Sequence, residues 1–407
     1  MEKRSALLSI LIATKNRIPY CIKVIDKILD FTNQDFELIV QDNSDSLELF
    51  DYAGKIKDQR FRYNYTAPPF SSIDNFNKVI SLAKGSYVCL IGDDDCITSE
   101  IFEAVKWANE NNIDSIVPSL KAVYWWPDAT KNIKGKEKDN GLLEISNISS
   151  NIKEYSTTGE VEKLMKSGGQ NYMDLNLPKL YHGIVKRKYL NLIKEKTGHY
   201  VGGLSPDIYL AVALSSFINK IVKIDYPLTI PGICIASTSA DSATKKNTSK
   251  LEDAPHFRDR GEYFWAKEVP RFYSGINIWA DSAIASLHDM EEHLLVRKFN
   301  VMSLSSILLK RHKNYKEEII NHYLDFYKAN VFIKRYIYIA VLKTRVLSNF
   351  FSGLYIRFCN KLIKVFLNKE DTSVKLKNIN NIGKALDLFL EYVSKNNFKL
   401  HFYEKKK

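Results

Sequence analysis

The sequence predicts an α/β domain built on a mostly parallel central sheet, followed by an α-helical C-terminal domain. Three observations predict it. Apolar runs that end in polar clusters alternate four times with helix-like stretches before Asn111, the pattern of doubly covered parallel strands. One of these runs, Tyr87 to Ile91, stops at Gly92 and three consecutive carboxylates, Asp93, Asp94 and Asp95. Beyond about Gly261 the apolar residues recur at helical spacing instead.

Leu7 to Ala13 reads as the first strand, Thr14-Lys15-Asn16-Arg17 as a polar loop, and Pro19 stands in the first turn of a helix, where proline is tolerated. Ile22, Ile25, Ile28 and Leu29 give that helix an apolar stripe. A second strand, Phe36 to Val40, ends in Gln41-Asp42-Asn43-Ser44-Asp45, and Phe61 to Tyr65 makes a third. Ser71 or Ser72 opens a helix with Ile73, Phe76, Val79, Ile80 and Ala83 on one face, which leads into the acidic strand. Thr98 or Ser99 caps the next helix, with Glu100 and Glu103 near its positive end. In such sheets ligands bind beyond the carboxyl ends of the strands, and three of these strands end there in polar clusters. Neither a Gly-x-Gly-x-x-Gly loop nor a Walker lysine loop is present, so the usual dinucleotide and P-loop phosphate cradles are missing.

A net charge of +12 and a pI near 9.1 call for an anionic partner. No basic face interleaved with aromatics marks a nucleic-acid reader. The five cysteines are scattered without metal-ligand spacing, as in a reducing compartment. Met1 to Ser5 runs straight into a strand with no leader pattern, and no long uncharged apolar run follows. A cytoplasmic protein, at most peripheral on the inner face of the membrane, is expected. Three adjacent aspartates repel one another and call for a cation, most simply a hard divalent one that prefers carboxylate oxygens.

The ordered set Ser9-Ile10-Leu11-Ile12-Ala13-Thr14-Lys15-Asn16-Arg17, Glu37-Leu38-Ile39-Val40-Gln41-Asp42-Asn43-Ser44, Asn75-Phe76-Asn77, Ala83-Lys84-Gly85-Ser86-Tyr87 and Gly92-Asp93-Asp94-Asp95 resembles the nucleotide-sugar half of a family 2 glycosyltransferase. The resemblance implies the GT-A fold, a Rossmann-like sheet, over residues 1–255. Its nucleotide-sugar half would be 1–128 and its acceptor half 129–255, with a basic helical domain over 256–407. It also implies inverting transfer from a nucleoside-diphosphate sugar, UDP-sugars favoured, assisted by Mg²⁺ or Mn²⁺. The acceptor implied is a saccharide or lipid-linked saccharide in surface polysaccharide synthesis, such as a capsule or O-antigen. By position, Thr14, Asn16, Arg17 and Asn77 would line the donor pocket, Asp42 would accept from the base, and Asp93, Asp94 and Asp95 would share the ribose and metal contacts, Asp93 placed with the donor. Asp94 and Asp95 would hold the metal, and the family's usual first Asp falls on Gly92. A non-catalytic scaffold and a sugar nucleotidyltransferase remain as rival readings.

For the base that deprotonates the acceptor, the candidate is Asp207, because Ser205 and Pro206 can open a helix that aims it into the cleft. Trp125, Trp126 and His182 are acceptor candidates, with core packing as the plain alternative for each. Asp128 to Glu144 reads as a surface loop, Ser237 to Lys250, with Lys245 and Lys246, as a lid, and His256 as a candidate third metal ligand. Between Val331 and Leu367 seven basic residues and many aromatics occur with no acid. That segment reads either as helices packed on the catalytic domain or as an amphipathic segment for an anionic membrane surface.

Overall fold

Four strands, β1 (Leu8–Thr14), β2 (Phe36–Asp42), β3 (Phe61–Tyr65) and β4 (Tyr87–Ile91), form the parallel half of the sheet in the order β3-β2-β1-β4. They belong to a computed structural model that describes residues 6–131, 139–237, 251, 255–366 and 373–402. β1 and β2 run in register from Leu8 opposite Phe36 to Thr14 opposite Asp42, so their last residues emerge side by side. Side chains alternate across the sheet. Ile10, Ile12, Leu38, Val40, Cys89 and Ile91 enter one core with the helix Ile18–Leu29. Leu11, Ile39, Val88 and Leu90 enter another with the helix Ser72–Leu82. Both faces are covered, which is why these strands are apolar at nearly every position. Ser71 caps the second helix by accepting from the Asp74 N–H, whereas Ser99 stands at the start of the helix Glu100–Glu110 without making a side-chain cap bond.

Past β4 the sheet continues through Ile184–Lys186, Ser115–Pro118, Lys220–Ile224 and Ile152–Ser156. Four of its seven pairings are parallel, so the mostly parallel sheet read from the sequence is the sheet observed. A smaller sheet joins Gly232–Ile233, Ala122–Trp125, Leu142–Ile145 and Val374–Lys377.

Packing crosses residue 255 in both directions, and the largely helical last segment also contributes one strand. Val374–Lys377 pairs antiparallel with Leu142–Ile145. The helix Ile382–Lys395 then inserts Ala385, Leu386 and Phe389 into the core beside the helix Ile18–Leu29, with Lys27 paired to Asp387 at 2.6 Å. An amphipathic helix must bury its apolar stripe, and the first helix of the sheet domain supplies the surface. Conversely, the helices Gly275–Asp289 and Val301–Arg311 share a core with Glu160–Lys166 and Pro206–Ser215. Leu294, beyond the end of the helix Gly275–Asp289, is exposed. Among the described residues no helix is long and apolar enough to cross a membrane.

Candidate active site

The carboxyl ends of β1, β2 and β4 meet at one edge. Thr14 donates its hydroxyl to Asp93 Oδ2 at 2.5 Å, closing β1 onto the acidic turn. Arg17, just ahead of the helix Ile18–Leu29, reaches Asp93 Oδ1 at 2.8 Å and Asp94 Oδ1 at 3.4 Å. Burial alone would lower the Arg17 pKa, but the two carboxylates hold it well above its ordinary value. Asn16, at a left-handed φ of 58°, bonds its amide to Asp45 while its backbone N–H meets Ser44 Oγ at 2.8 Å, so the loops after β1 and β2 are joined. Asp42 is fully buried, accepting from the Ser44 N–H at 2.8 Å and the Tyr63 hydroxyl at 2.7 Å.

The three aspartates differ sharply. Asp95 accepts from the Gly92 N–H at 2.6 Å, the Gly232 N–H at 2.7 Å and the Tyr181 hydroxyl at 3.2 Å, and faces His182 Nε2 at 3.2 Å. Burial alone would raise its pKa, but His182 and the two backbone donors hold it below the ordinary carboxylate value. Asp95, expected to hold the metal, has Oδ2 engaged by three protein groups and Oδ1 by one, so it is the better satisfied of the two metal candidates. Among the described residues Asp94 makes the longer contact to Arg17, accepts from the Cys234 N–H at 3.3 Å and meets the Cys234 thiol. Burial, the largest cause, with Asp95 and Asp93 pushing the same way against Arg17, raises Asp94 to about 7. A buried carboxylate short of counter-charge is what a divalent cation would satisfy. Among the described residues no group of three or more His, Cys, Asp or Glu is placed to hold a metal. An ion that keeps waters and phosphate oxygens needs only one or two protein carboxylates, and Asp94 fits that need.

Gly92 and Gly232 make the turn possible. A Cβ on Gly92 would come within 3 Å of the Tyr181 hydroxyl and of Asp95 Oδ2, so an aspartate there would have to displace those side-chain ends. A Cβ on Gly232 would run into the Asp94 carbonyl. That carbonyl accepts from Trp126 Nε1 at 3.1 Å. Trp126 is buried against Tyr20 and Tyr124 and has no face for an acceptor, which corrects the role expected of it. Trp125 is half-buried, with Nε1 bonded to Glu144 at 2.8 Å.

His182 is buried, Nδ1 on Thr229 Oγ1 at 3.0 Å and Nε2 on Asp95, so it is a prop of the acidic turn rather than an open acceptor contact. Asp207, in the first turn of the helix Pro206–Ser215, is half-buried and hydrogen-bonds Tyr172. Burial raises its pKa, with Asp95 acting in the same direction and His182 against, so Asp207 stands within electrostatic reach of the acidic turn.

Asn77 is displaced from the expected pocket. It donates to the Ile73 and Val201 carbonyls and accepts from the Tyr200 and Val201 N–H groups, bracing the loop ahead of Asp207. Asn75 holds the edge instead, donating to the Thr14 carbonyl at 3.1 Å. Among the described residues its Oδ1 and that of Asn43 are buried acceptors that find no hydrogen-bond partner. Residues two apart on a helix point in nearly opposite directions. His256 packs against Tyr273 and is pushed down to about 4 by burial and Arg260. Of the expected lid, 238–250 lie outside the described residues, as do 132–138 of the expected loop.

Residues 9–159 match Glycosyl transferase family 2. No curated protein matches the chain in sequence. Among solved structures, residues 1–349 of S. aureus TarS in complex with UDP-GlcNAc align at a TM-score of 0.44 and 13% identity, over 78% of this chain and 80% of that one. A longer structure of S. aureus TarS aligns at 0.42 and 13%, over 84% of this chain and 53% of that one. The family match begins inside β1 and runs through the acidic turn and well beyond it, so the N-terminal part of this chain is a family 2 glycosyltransferase domain.

Proposed function

We propose that this glycosyltransferase moves a sugar from a nucleoside-diphosphate sugar, UDP-sugars favoured, to a hydroxyl of a saccharide or lipid-linked saccharide in surface polysaccharide synthesis. The observation that carries the donor half is Asp94, a buried carboxylate at the exit edge of the sheet with less than its share of partners. Asp42, Asn43 and Asn75 offer buried acceptor oxygens at the same edge, suited to the N–H and hydroxyl donors of a nucleoside. Asp94 would hold Mg²⁺ or Mn²⁺, and a bound divalent ion would supply Lewis-acid stabilisation of the leaving diphosphate. Arg17 brings the chain's own positive charge to that spot and is partly open to solvent, so it can take up a diphosphate oxygen.

Asp207 serves as the base. It takes the proton of the acceptor hydroxyl as that oxygen bonds to the anomeric carbon and the bond to the diphosphate breaks, which inverts the centre in one displacement. Its half-buried setting, which raises the carboxyl pKa, makes it a stronger base than a solvated aspartate. The test is product analysis across a panel of nucleotide-sugars with saccharide and lipid-linked acceptors. Release of nucleoside diphosphate with a β-configured bond from an α-donor is expected. Release of pyrophosphate, or turnover unchanged in Asp207→Asn, contradicts the reading.

A further inference from the structure

Nine of the sixteen large apolar side chains exposed among the described residues lie between Val331 and Leu354, in or beside the helix Phe332–Phe366. At 100° per residue, Ile333, Ile337, Leu347 and Phe351 fall on one face, each more than half exposed. The opposite face is seated on the helices before it. Leu342 is buried there, and Asn349 donates to Ser306 Oγ at 2.8 Å. By the same rotation Lys334 and Arg345 border the bare face on one side and Lys343 on the other, all exposed.

We propose that this face docks in the headgroup region of an anionic lipid bilayer, with the helix lying along the surface. Apolar side chains would enter the acyl boundary while the flanking cations reach the headgroups. Charge selects this occupant. From Val331 to Leu367 the chain carries no acid, so a second copy packed on the same face would align cations against cations, with no carboxylate to pair them as a helical seam requires. Among the described residues no helix, this one included, combines the length and the apolarity needed to cross a bilayer. The proposal does not depend on the sugar-transfer reading.

The test is flotation of the full chain with vesicles of phosphatidylcholine containing phosphatidylserine and with phosphatidylcholine alone, beside light scattering without lipid. The expected result is a monomer that floats with the anionic vesicles only and is released by high salt. Each of Lys334→Gln, Lys343→Gln and Arg345→Gln should lower partitioning about fivefold. Ile337→Asp and Phe351→Asp should abolish it while leaving the thermal melt unchanged, since both positions are exposed. Failure to float with anionic vesicles overturns the proposal, as does a lipid-free dimer that Ile337→Asp dissociates. Because the readout is partitioning, its failure and a failure of the donor assay are separate results.

Discussion

The front and the back of the acidic turn put similar side chains to opposite uses. At the back, Asp95 is surrounded by Gly92, Gly232, Tyr181 and His182, and every one of those contacts is internal. At the front, Asp94 shares one guanidinium with Asp93 and accepts one long backbone bond. A buried carboxylate with a full set of donors belongs to the fold, whereas one left short of partners is a place for a ligand. Adjacency in sequence therefore says little about role.

The largest effect expected lies just outside this pair. Asp207→Asn should lower kcat about 10²–10⁴-fold while donor affinity, measured by calorimetry, stays unchanged; a loss of donor affinity would merge the acceptor side with the acidic turn. Because burial raises the Asp207 pKa and the base works only when deprotonated, the acid limb of kcat/KM should fall at a higher pH than for an ordinary carboxylate. The limb should vanish in Asp207→Asn.

Asp94→Asn and Asp95→Asn divide the turn. The first should cost about 10²–10³-fold in kcat/KM with an unchanged urea midpoint. The second should destabilise the protein by about 2–4 kcal/mol through its lost charge-assisted bonds. The sign of its pH dependence follows from its lowered pKa: Asp95 contributes stability above the ordinary carboxylate value and loses it as pH falls through the depressed one. Asp95→Asn should therefore flatten the acid side of the stability curve. Equal stability losses in both variants would erase the distinction.

Arg17→Gln should weaken donor binding by roughly 2 kcal/mol, about thirtyfold, because the diphosphate loses a cation. Smaller still is Trp125→Ala, expected to raise the acceptor KM about threefold without touching donor affinity; Trp126→Ala should instead destabilise the fold by about 3–5 kcal/mol through a buried ring.

Much of the front was legible in the sequence because it is local. Thr14, Arg17, Asp42 and Asp93–Asp95 each follow an apolar strand, and parallel strands deliver their ends to a common edge. The back was not legible. Gly232 and Cys234 reach Asp94 and Asp95 across more than a hundred residues of chain through a two-residue strand that has no apolar run to announce it. The sequence reading names Asn77 for the pocket and gives Asn75 no role, because a motif gives spacing but not which way a helical side chain points. The return of Val374–Lys377 and Ile382–Lys395 to the sheet domain was hidden for a similar reason. An apolar helical stripe shows that a helix is covered and is silent on what covers it.

The most direct measurement is calorimetric titration of UDP-sugars into the wild-type chain and Asp94→Asn, each with and without Mn²⁺. Wild-type binding should tighten at least tenfold with the ion, and Asp94→Asn should lose that gain while melting like the wild type. Donor binding equally strong with and without Mn²⁺ in both proteins would contradict the assignment of Asp94 to the cation and the diphosphate.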